Sequence, residues 1–134
     1  MGKKILIVDD SPTLRSSLSF CLSNAGYVVT EAVDGKDGLQ QLEKLKEKGE
    51  VVSLIISDIN MPRMDGVTFI KEIKKTSFKY VPILVLTTES QESKKQEGKD
   101  AGAAGWLTKP FRSEDLLWII KKFTRRPHGS KTTI

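Results

Sequence analysis

The chain has 134 residues and a formal net charge of +5, with 38% hydrophobic and 29% charged side chains. That is room for one domain with a substantial core and too little for two. One cysteine, Cys21, and one histidine, His128, exclude an internal disulfide and a Cys-cluster zinc site, and leave little for a His-based metal centre or triad.

The apolar run Lys4-Ile5-Leu6-Ile7-Val8 predicts a first strand ending at Asp9-Asp10. Ser11-Pro12 then offers an N-cap with proline in the first helical position. Leu14, Leu18, Cys21, Leu22 and Ala25 recur at helical spacing, and Asn24-Ala25-Gly26 closes the helix. Cys21 falls on that stripe and is expected in the core. Tyr27 to Glu31 reads as a second strand. Asp34-Gly35 opens a second helix carrying Leu39, Leu42 and Leu45 and ending near Gly49.

Val51 to Ser57 is an apolar strand ending at Asp58, followed by a loop from Asn60 to Gly66. Phe69, Ile70 and Ile73 mark a third helix, and Val81 to Leu86 a fourth strand ending at Thr87. The segment from Ser90 to Gly102 has no large aliphatic or aromatic residue. Its place between two strands predicts a helix, with only Gly98 and Ala101 able to face a core, so its docking should be weak. It is either an ordinary, loosely held surface helix or a moving part drawn from the low-stability end of the fold. Ala104 to Thr108 is a short fifth strand ending at Lys109-Pro110. Leu116, Leu117, Ile120 and Phe123 line a last helix, with Ser113 expected as its N-cap. Residues 1–126 form the domain and 127–134 a short basic tail.

Five strands alternating with five helices predict an α/β fold, a doubly wound parallel sheet with helices on both faces. Three of the strands are nearly continuous apolar runs, as expected of strands buried on both sides.

The basic excess is local. Residues 1–111 carry 16 Lys and Arg against 15 Asp and Glu, and residues 112–134 carry six against two. This is either a solubilising feature or an attraction to an acidic partner. Nothing resembles a helix-turn-helix or an aromatic-basic platform, so no nucleic-acid partner is expected. The longest apolar run, Val81 to Leu86, is far short of a membrane span, and the basic start is followed by too few apolar residues for a signal peptide. A cytoplasmic protein without a membrane partner is expected.

The polar residues with chemistry sit where an open parallel sheet binds ligands, at the carboxyl ends of the strands: Asp9, Asp10, Asp58, Thr87 and Lys109. Three carboxylates in one crevice repel one another, and a divalent cation relieves the repulsion. All-oxygen ligands select a hard ion, Mg²⁺ or alternatively Mn²⁺. Carboxylates, such an ion, a lysine and a hydroxyl are what a phosphoryl group needs, with one carboxylate attacking in line. The ordinary alternative is a structural ion-pair network. No Gly-rich phosphate loop is present in the sequence.

With Asp9-Asp10, the stretch Asp58-Ile59-Asn60-Met61-Pro62-Arg63-Met64-Asp65-Gly66, Thr87 and Lys109-Pro110-Phe111, the chain resembles a response-regulator receiver domain. Within that family it is similar to CheY-like single-domain chemotaxis regulators. The resemblance covers residues 3–125 and implies a flavodoxin-like fold with strand order 2-1-3-4-5. It implies Asp58 as phosphoacceptor, Mg²⁺ held by Asp10, Asp58 and the Asn60 backbone carbonyl, and Asp9 acting partly through water. Lys109 would pair with Asp58 and then with the phosphoryl group, and Thr87 would turn inward on activation. A cis Lys109-Pro110 bond is also implied. The protein would catalyse its own phosphorylation and dephosphorylation without being an enzyme in the usual sense.

Two positions depart from the family pattern. Trp106 stands where a rotating Tyr or Phe is usual, and Thr88 follows Thr87 where a small residue is common. Trp106 could swing or could be fixed packing. Asn60 and Glu89 hold positions that tune phosphoryl lifetime in the family. The output face would comprise the fourth helix, fifth strand and fifth helix. It would be basic, from Lys94, Lys95, Lys99, Lys121 and Lys122. Trp118 either joins an interface or covers the core edge.

The implied partners are a CheA-like histidine kinase, a protein target such as a flagellar switch component, and a phosphatase, with the regulator a monomer. Two alternatives stay open. One is a phosphorelay intermediate. The other is an aspartyl-phosphate hydrolase of the haloacid dehalogenase type, which needs an acid where this chain has Asn60. A DNA-binding regulator would need an output domain.

Overall fold

The computed structural model describes residues 2–125. Five strands run parallel: β1 (Lys4–Val8), β2 (Val28–Ala32), β3 (Leu54–Ser57), β4 (Ile83–Thr87) and β5 (Gly105–Thr108). Between and after them lie α1 (Pro12–Asn24), α2 (Gly35–Glu47), α3 (Gly66–Ile73), α4 (Glu92–Ala101) and α5 (Ser113–Thr124). The sheet order is β2-β1-β3-β4-β5, a flavodoxin-like α/β architecture.

Side chains alternate across the sheet with period two, and this divides the core. Leu6, Val8, Ile55, Ile83 and Val85 pack with Leu42 and Leu45 of α2 and Phe69, Ile70 and Ile73 of α3. Ile5, Ile7, Leu54, Ile56, Leu84 and Leu86 pack with Leu18 and Leu22 of α1 and Leu116 and Ile120 of α5. Every residue of β3 and β4 is buried, as are four of the five in β1, so these are the central strands. β2 and β5 are the edges and are only partly covered. Each fully buried Leu, Ile or Phe contributes about 1.5–3 kcal/mol, which makes this double-sided sheet the dominant source of stability.

The helix ends follow local chemistry. The Ser11 hydroxyl caps α1 by accepting from Leu14 N at 3.2 Å, with Pro12 as first helical residue. Asp34 caps α2 through Asp37 N, and Asp65 caps α3 through Thr68 N.

Three expectations need correction. The third strand starts at Leu54, not Val51, because Leu54 pairs with Ile5 and β1 begins only one residue earlier. Val51 is exposed. Ser113 does not cap α5. It is the first helical residue, Arg112 holds the cap position, and no side chain caps the end. Glu114 and Asp115 in the first turn, with Arg112 paired to Asp115 at 3.3 Å, complement the helix dipole instead. Cys21 is half-buried rather than in the core. The expected domain end at 126 and the tail at 127–134 lie outside the described residues.

α4 forms where the sequence placed it, and Gly98 is its sole buried residue. Among the described residues no helix is long and apolar enough to cross a membrane.

Candidate phosphoryl-transfer site

Register alone assembles the acidic cluster. Val8 pairs with Ser57, so the next residues, Asp9 and Asp58, leave neighbouring strands side by side, and Asp58 N donates to Val8 O at 3.0 Å. Thr87 pairs with Thr108, which sets Lys109 beyond the end of β4, with Lys109 N donating to Thr87 O at 2.8 Å. The Lys109-Pro110 bond is cis.

Asp9, Asp10 and Asp58 each bring a carboxylate oxygen within 4.8 Å of the others. Asp9 is buried, Asp58 largely so, and Asp10 is exposed at the mouth. The Lys109 ammonium lies 3.6 Å from Asp9 Oδ2 and 3.9 Å from Asp58 Oδ2. Asp58 Oδ1 accepts the N–H groups of Ile59 at 2.6 Å and Asn60 at 3.4 Å. One oxygen of Asp58 is therefore held by its own loop, while the other faces Lys109 and the neighbouring acids.

Burial raises the Asp9 carboxyl above its usual range, and the charges of Asp58 and Asp10 push the same way. The Ser11 N–H on Asp9 Oδ1 at 2.9 Å and the Lys109 charge oppose the rise without cancelling it. Three carboxylates thus share one lysine. Three oxygen donors with no nitrogen or sulfur ligand suit a hard divalent ion.

Two loops build the mouth. A Cβ on Gly66 would lie 2.3 Å from the Asp58 carbonyl oxygen, so only glycine lets α3 start this close to the acid. Gly66 N closes that approach on Ile59 O at 2.8 Å. Between them, Arg63 takes a φ of 64° at a tight turn where Met64 N donates to Pro62 O at 2.7 Å. Its guanidinium reaches Asp34 twice, at 2.6 and 3.0 Å, across to the start of α2. Hydrogen bonding to Arg63 holds the buried Asp34 carboxyl below its usual range. Sequence reading found Asp34 only as a helix opener and did not find this clamp. A lone arginine in a loop gives no signal of its partner.

Thr87 is fully buried, and its hydroxyl accepts Glu89 N at 3.2 Å. Trp106 Nε1 donates to Glu89 O at 3.2 Å. Thr88 is exposed and Glu89 half-exposed at the rim. The Trp106 ring lies against α4, where a Cβ on Gly98 would come within 2.8 Å of it. Beside it, Lys95, Lys99, Ala104 and Trp106 line an open depression of about 370 Å³. Lys94, half-buried, pairs with Glu97 at 3.7 Å. Lys121 lies elsewhere, in a hollow with Lys3, Tyr27 and Trp118 at the α1 side of α5.

Comparison with known proteins agrees with this geometry. The model of the response regulator receiver domain matches residues 5–121. The chemotaxis protein CheY4 of Vibrio cholerae is 44% identical, with a TM-score of 0.83 over 92% of this chain and 99% of that one. The receiver domain of the Pseudomonas aeruginosa sensor histidine kinase PA1611, with a magnesium ion in its active-site cleft, is 27% identical. It superposes with a TM-score of 0.81 over 94% of this chain and all of that one. The chemotaxis protein CheV3 of Helicobacter pylori is 38% identical over 89% of this chain and 40% of its own length. The chain spans only 14% of the Helicobacter pylori sensor histidine kinase CheAY and half of the Bacillus subtilis regulator PhoP. With its acidic cluster, its lysine and its threonine at the ends of the matching strands, the chain belongs to the response regulator receiver domain family.

Proposed function

We propose that the protein is a phosphorylation switch of chemotaxis type in the cytoplasm, taking a phosphoryl group from a CheA-like histidine kinase onto Asp58. The observation that carries this is the division of labour within the Asp58 carboxylate. Oδ1 is fixed by two backbone N–H groups, and Oδ2 faces Lys109 at 3.9 Å. In the transfer, Oδ2 forms a bond to phosphorus as the phosphorus–nitrogen bond of a phosphohistidine breaks. The imidazole leaves with the bonding pair and takes up a proton.

Asp10, Asp58 and the Asn60 carbonyl would hold Mg²⁺, with Asp9 acting partly through water. The ion supplies neutralisation of phosphoryl oxygens. Lys109 holds the phosphoryl group from the β5 side, and the Thr87 hydroxyl turns from Glu89 N towards it. Asn60, Thr88 and Glu89 stand at the mouth, where they set the approach of the water that hydrolyses the acyl phosphate. The protein thus promotes its own phosphorylation and its slow reversal, and a phosphatase would act on the same bond.

Signal leaves through Glu89. Thr87 and Trp106 grip the N–H and the C=O of this one residue. When Thr87 releases its half, the loop and the Trp106 ring lose their registration on Gly98 of α4. The α4–β5 face, with Lys95, Lys99 and Trp106, then changes shape for a protein target such as a flagellar switch component.

Incubation with acetyl phosphate and Mg²⁺ should add one alkali-labile phosphoryl group, absent in Asp58→Asn. Label retained in that variant, or found on a serine or threonine, overturns the assignment. A phosphorelay intermediate would in addition return the group to a histidine of a phosphotransfer protein within the life of the adduct.

A further inference from the structure

We infer that the trough between α1 and α5, whose basic end lies at the amino pole of the sheet, docks an acidic amphipathic segment of another protein whatever the state of Asp58. Two depressions meet at Ala25. One, of about 440 Å³, runs between Phe20 of α1 and Leu117 of α5. The other, of about 540 Å³, continues past Tyr27 and Trp118 to Lys3, Lys121 and Arg125.

Phe20 is 71% and Trp118 65% exposed, two of the largest apolar exposures among the described residues, and both border this trough. Large aromatics left uncovered beside a groove mark contact surfaces more than stray hydrophobic residues do. Among the described residues neither depression has a carboxylate in its lining, while three cations border the second. Lys122 adds a fourth, its ammonium 5.3 Å from the Trp118 ring centroid. The Lys3 ammonium donates to the Thr124 carbonyl, which sets one cation at the end of the trough.

Charge selects the occupant. A second copy joined about a two-fold axis would set these cations against themselves. Residues 126–134 contain Arg126 and Lys131 and no Asp or Glu, so this segment has the wrong sign to fill the trough. A nucleic-acid strand would repeat its charge beyond the patch and meet exposed Glu114 and Asp115 at the start of α5. A short helix with acids on one side and leucine or aromatic side chains on the other satisfies both the apolar floor and the basic end.

The basic end of the trough is remote from the phosphoacceptor, while its apolar end reaches Ser113 at the start of α5. Lys3 precedes β1, and Asp9 follows it six residues on, about 20 Å at the rise of a strand. The strands between are buried on both faces. Occupancy should therefore not depend on phosphorylation, unlike output through Trp106, and the two surfaces could be engaged together.

The test uses the full chain, labelled with ¹⁵N, and a designed amphipathic helix of about 16 residues with Glu on its polar face and Leu and Phe on the other. Its Lys-for-Glu analogue and a short single-stranded DNA are the comparison probes. The acidic peptide should shift Phe20, Ala25, Tyr27 and the Trp118 indole, equally with and without Mg²⁺ and beryllofluoride and equally in Asp58→Asn. Trp118→Ala should weaken binding at least about tenfold and Lys121→Glu about fivefold. Trp118→Ala should keep its wild-type spectrum elsewhere and its wild-type labelling by acetyl phosphate. No binding, equal binding of the basic peptide, tighter binding of DNA, self-association through the same residues, or shifts centred on Trp106 and Lys99 would each overturn the inference. Because binding is read in Asp58→Asn as well, its failure leaves the phosphorylation reading untouched, and the converse holds.

Discussion

The indole N–H of Trp106 donates to the Glu89 carbonyl at 3.2 Å, while the N–H of the same Glu89 donates to the Thr87 hydroxyl at 3.2 Å. One peptide group on either side of a single residue thus joins the end of β4 to the side chain of β5. Trp106 has a ring nitrogen donor here, which Phe lacks. Trp106→Phe should keep phosphorylation by acetyl phosphate at the wild-type rate but uncouple it from the α4 face. Amide exchange at 88–92 should rise in the unphosphorylated state. Unchanged exchange there would mean that the bond restrains nothing.

Gly98 is the second half of that joint. In an exposed helix Gly→Ala gains about 1 kcal/mol of helix stability. At this position the new methyl would lie 2.8 Å from the indole ring. Gly98→Ala should therefore show no stability gain and a changed Trp106 emission. In a Trp106→Leu background the same substitution should recover the gain. Urea denaturation of the four proteins in the cycle measures the coupling.

The Arg63–Asp34 clamp should be visible in acid. Arg63 lowers the Asp34 carboxyl in the folded protein, so the pair's contribution is fully present above the ordinary aspartate value of about 3.9. It is lost as pH falls through the lower folded value. Asp34→Ala, which also removes the α2 cap, should cost about 1 to 2 kcal/mol at neutral pH. The gap from wild type should narrow below pH 4. Arg63→Gly would lose the pair yet relieve the positive φ, so it should be milder than Arg63→Ala in denaturation.

Metal binding should be weak, in the millimolar range, since two or three carboxylates and water form a modest site for an ion that dehydrates reluctantly. Mg²⁺ titrated against amide shifts should move Asp10, Asp58 and Asn60 together. Asp10→Asn should lose most of the response. Lys109→Arg should bind Mg²⁺ and accept the phosphoryl group without switching the α4 face, because a planar guanidinium cannot replace a compact ammonium between Asp58 and β5.

Much of this was legible in the sequence because it depends on period and on chain ends. The alternation of Ile5 and Ile7 against Leu6 and Val8 is a sheet buried on both faces, and register then forces Asp9 beside Asp58. The polar helix was legible within 90–102 from its place between two strands, and of the two residues expected to face the core, Gly98 and Ala101, Gly98 is the buried one. What escaped depends on distance between loops. Nothing in the residues near Arg63 points 29 positions back to Asp34. The cap of α5 escaped because Ser113 and Arg112 are adjacent, and a cap is fixed by one backbone rotation. Lys121 was expected on the output face with Lys94. In the structure it lines a hollow with Lys3 and Tyr27, because its position on α5 is one turn beyond Leu117, which faces α1.

The most direct measurement is amide hydrogen exchange with and without Mg²⁺ and beryllofluoride, a mimic of the phosphoryl group at Asp58. Charge-assisted bonds from Thr87 and Lys109 to a dianionic group are the differential contacts that can move the equilibrium. Exchange should change first and most in residues 88–106, across Glu89, α4 and Trp106, with the strands at 4–8 and 54–57 nearly silent. Changes confined to α1 and α2, with 88–106 unaltered, would contradict a switch that runs from Asp58 through Glu89 to the α4 face.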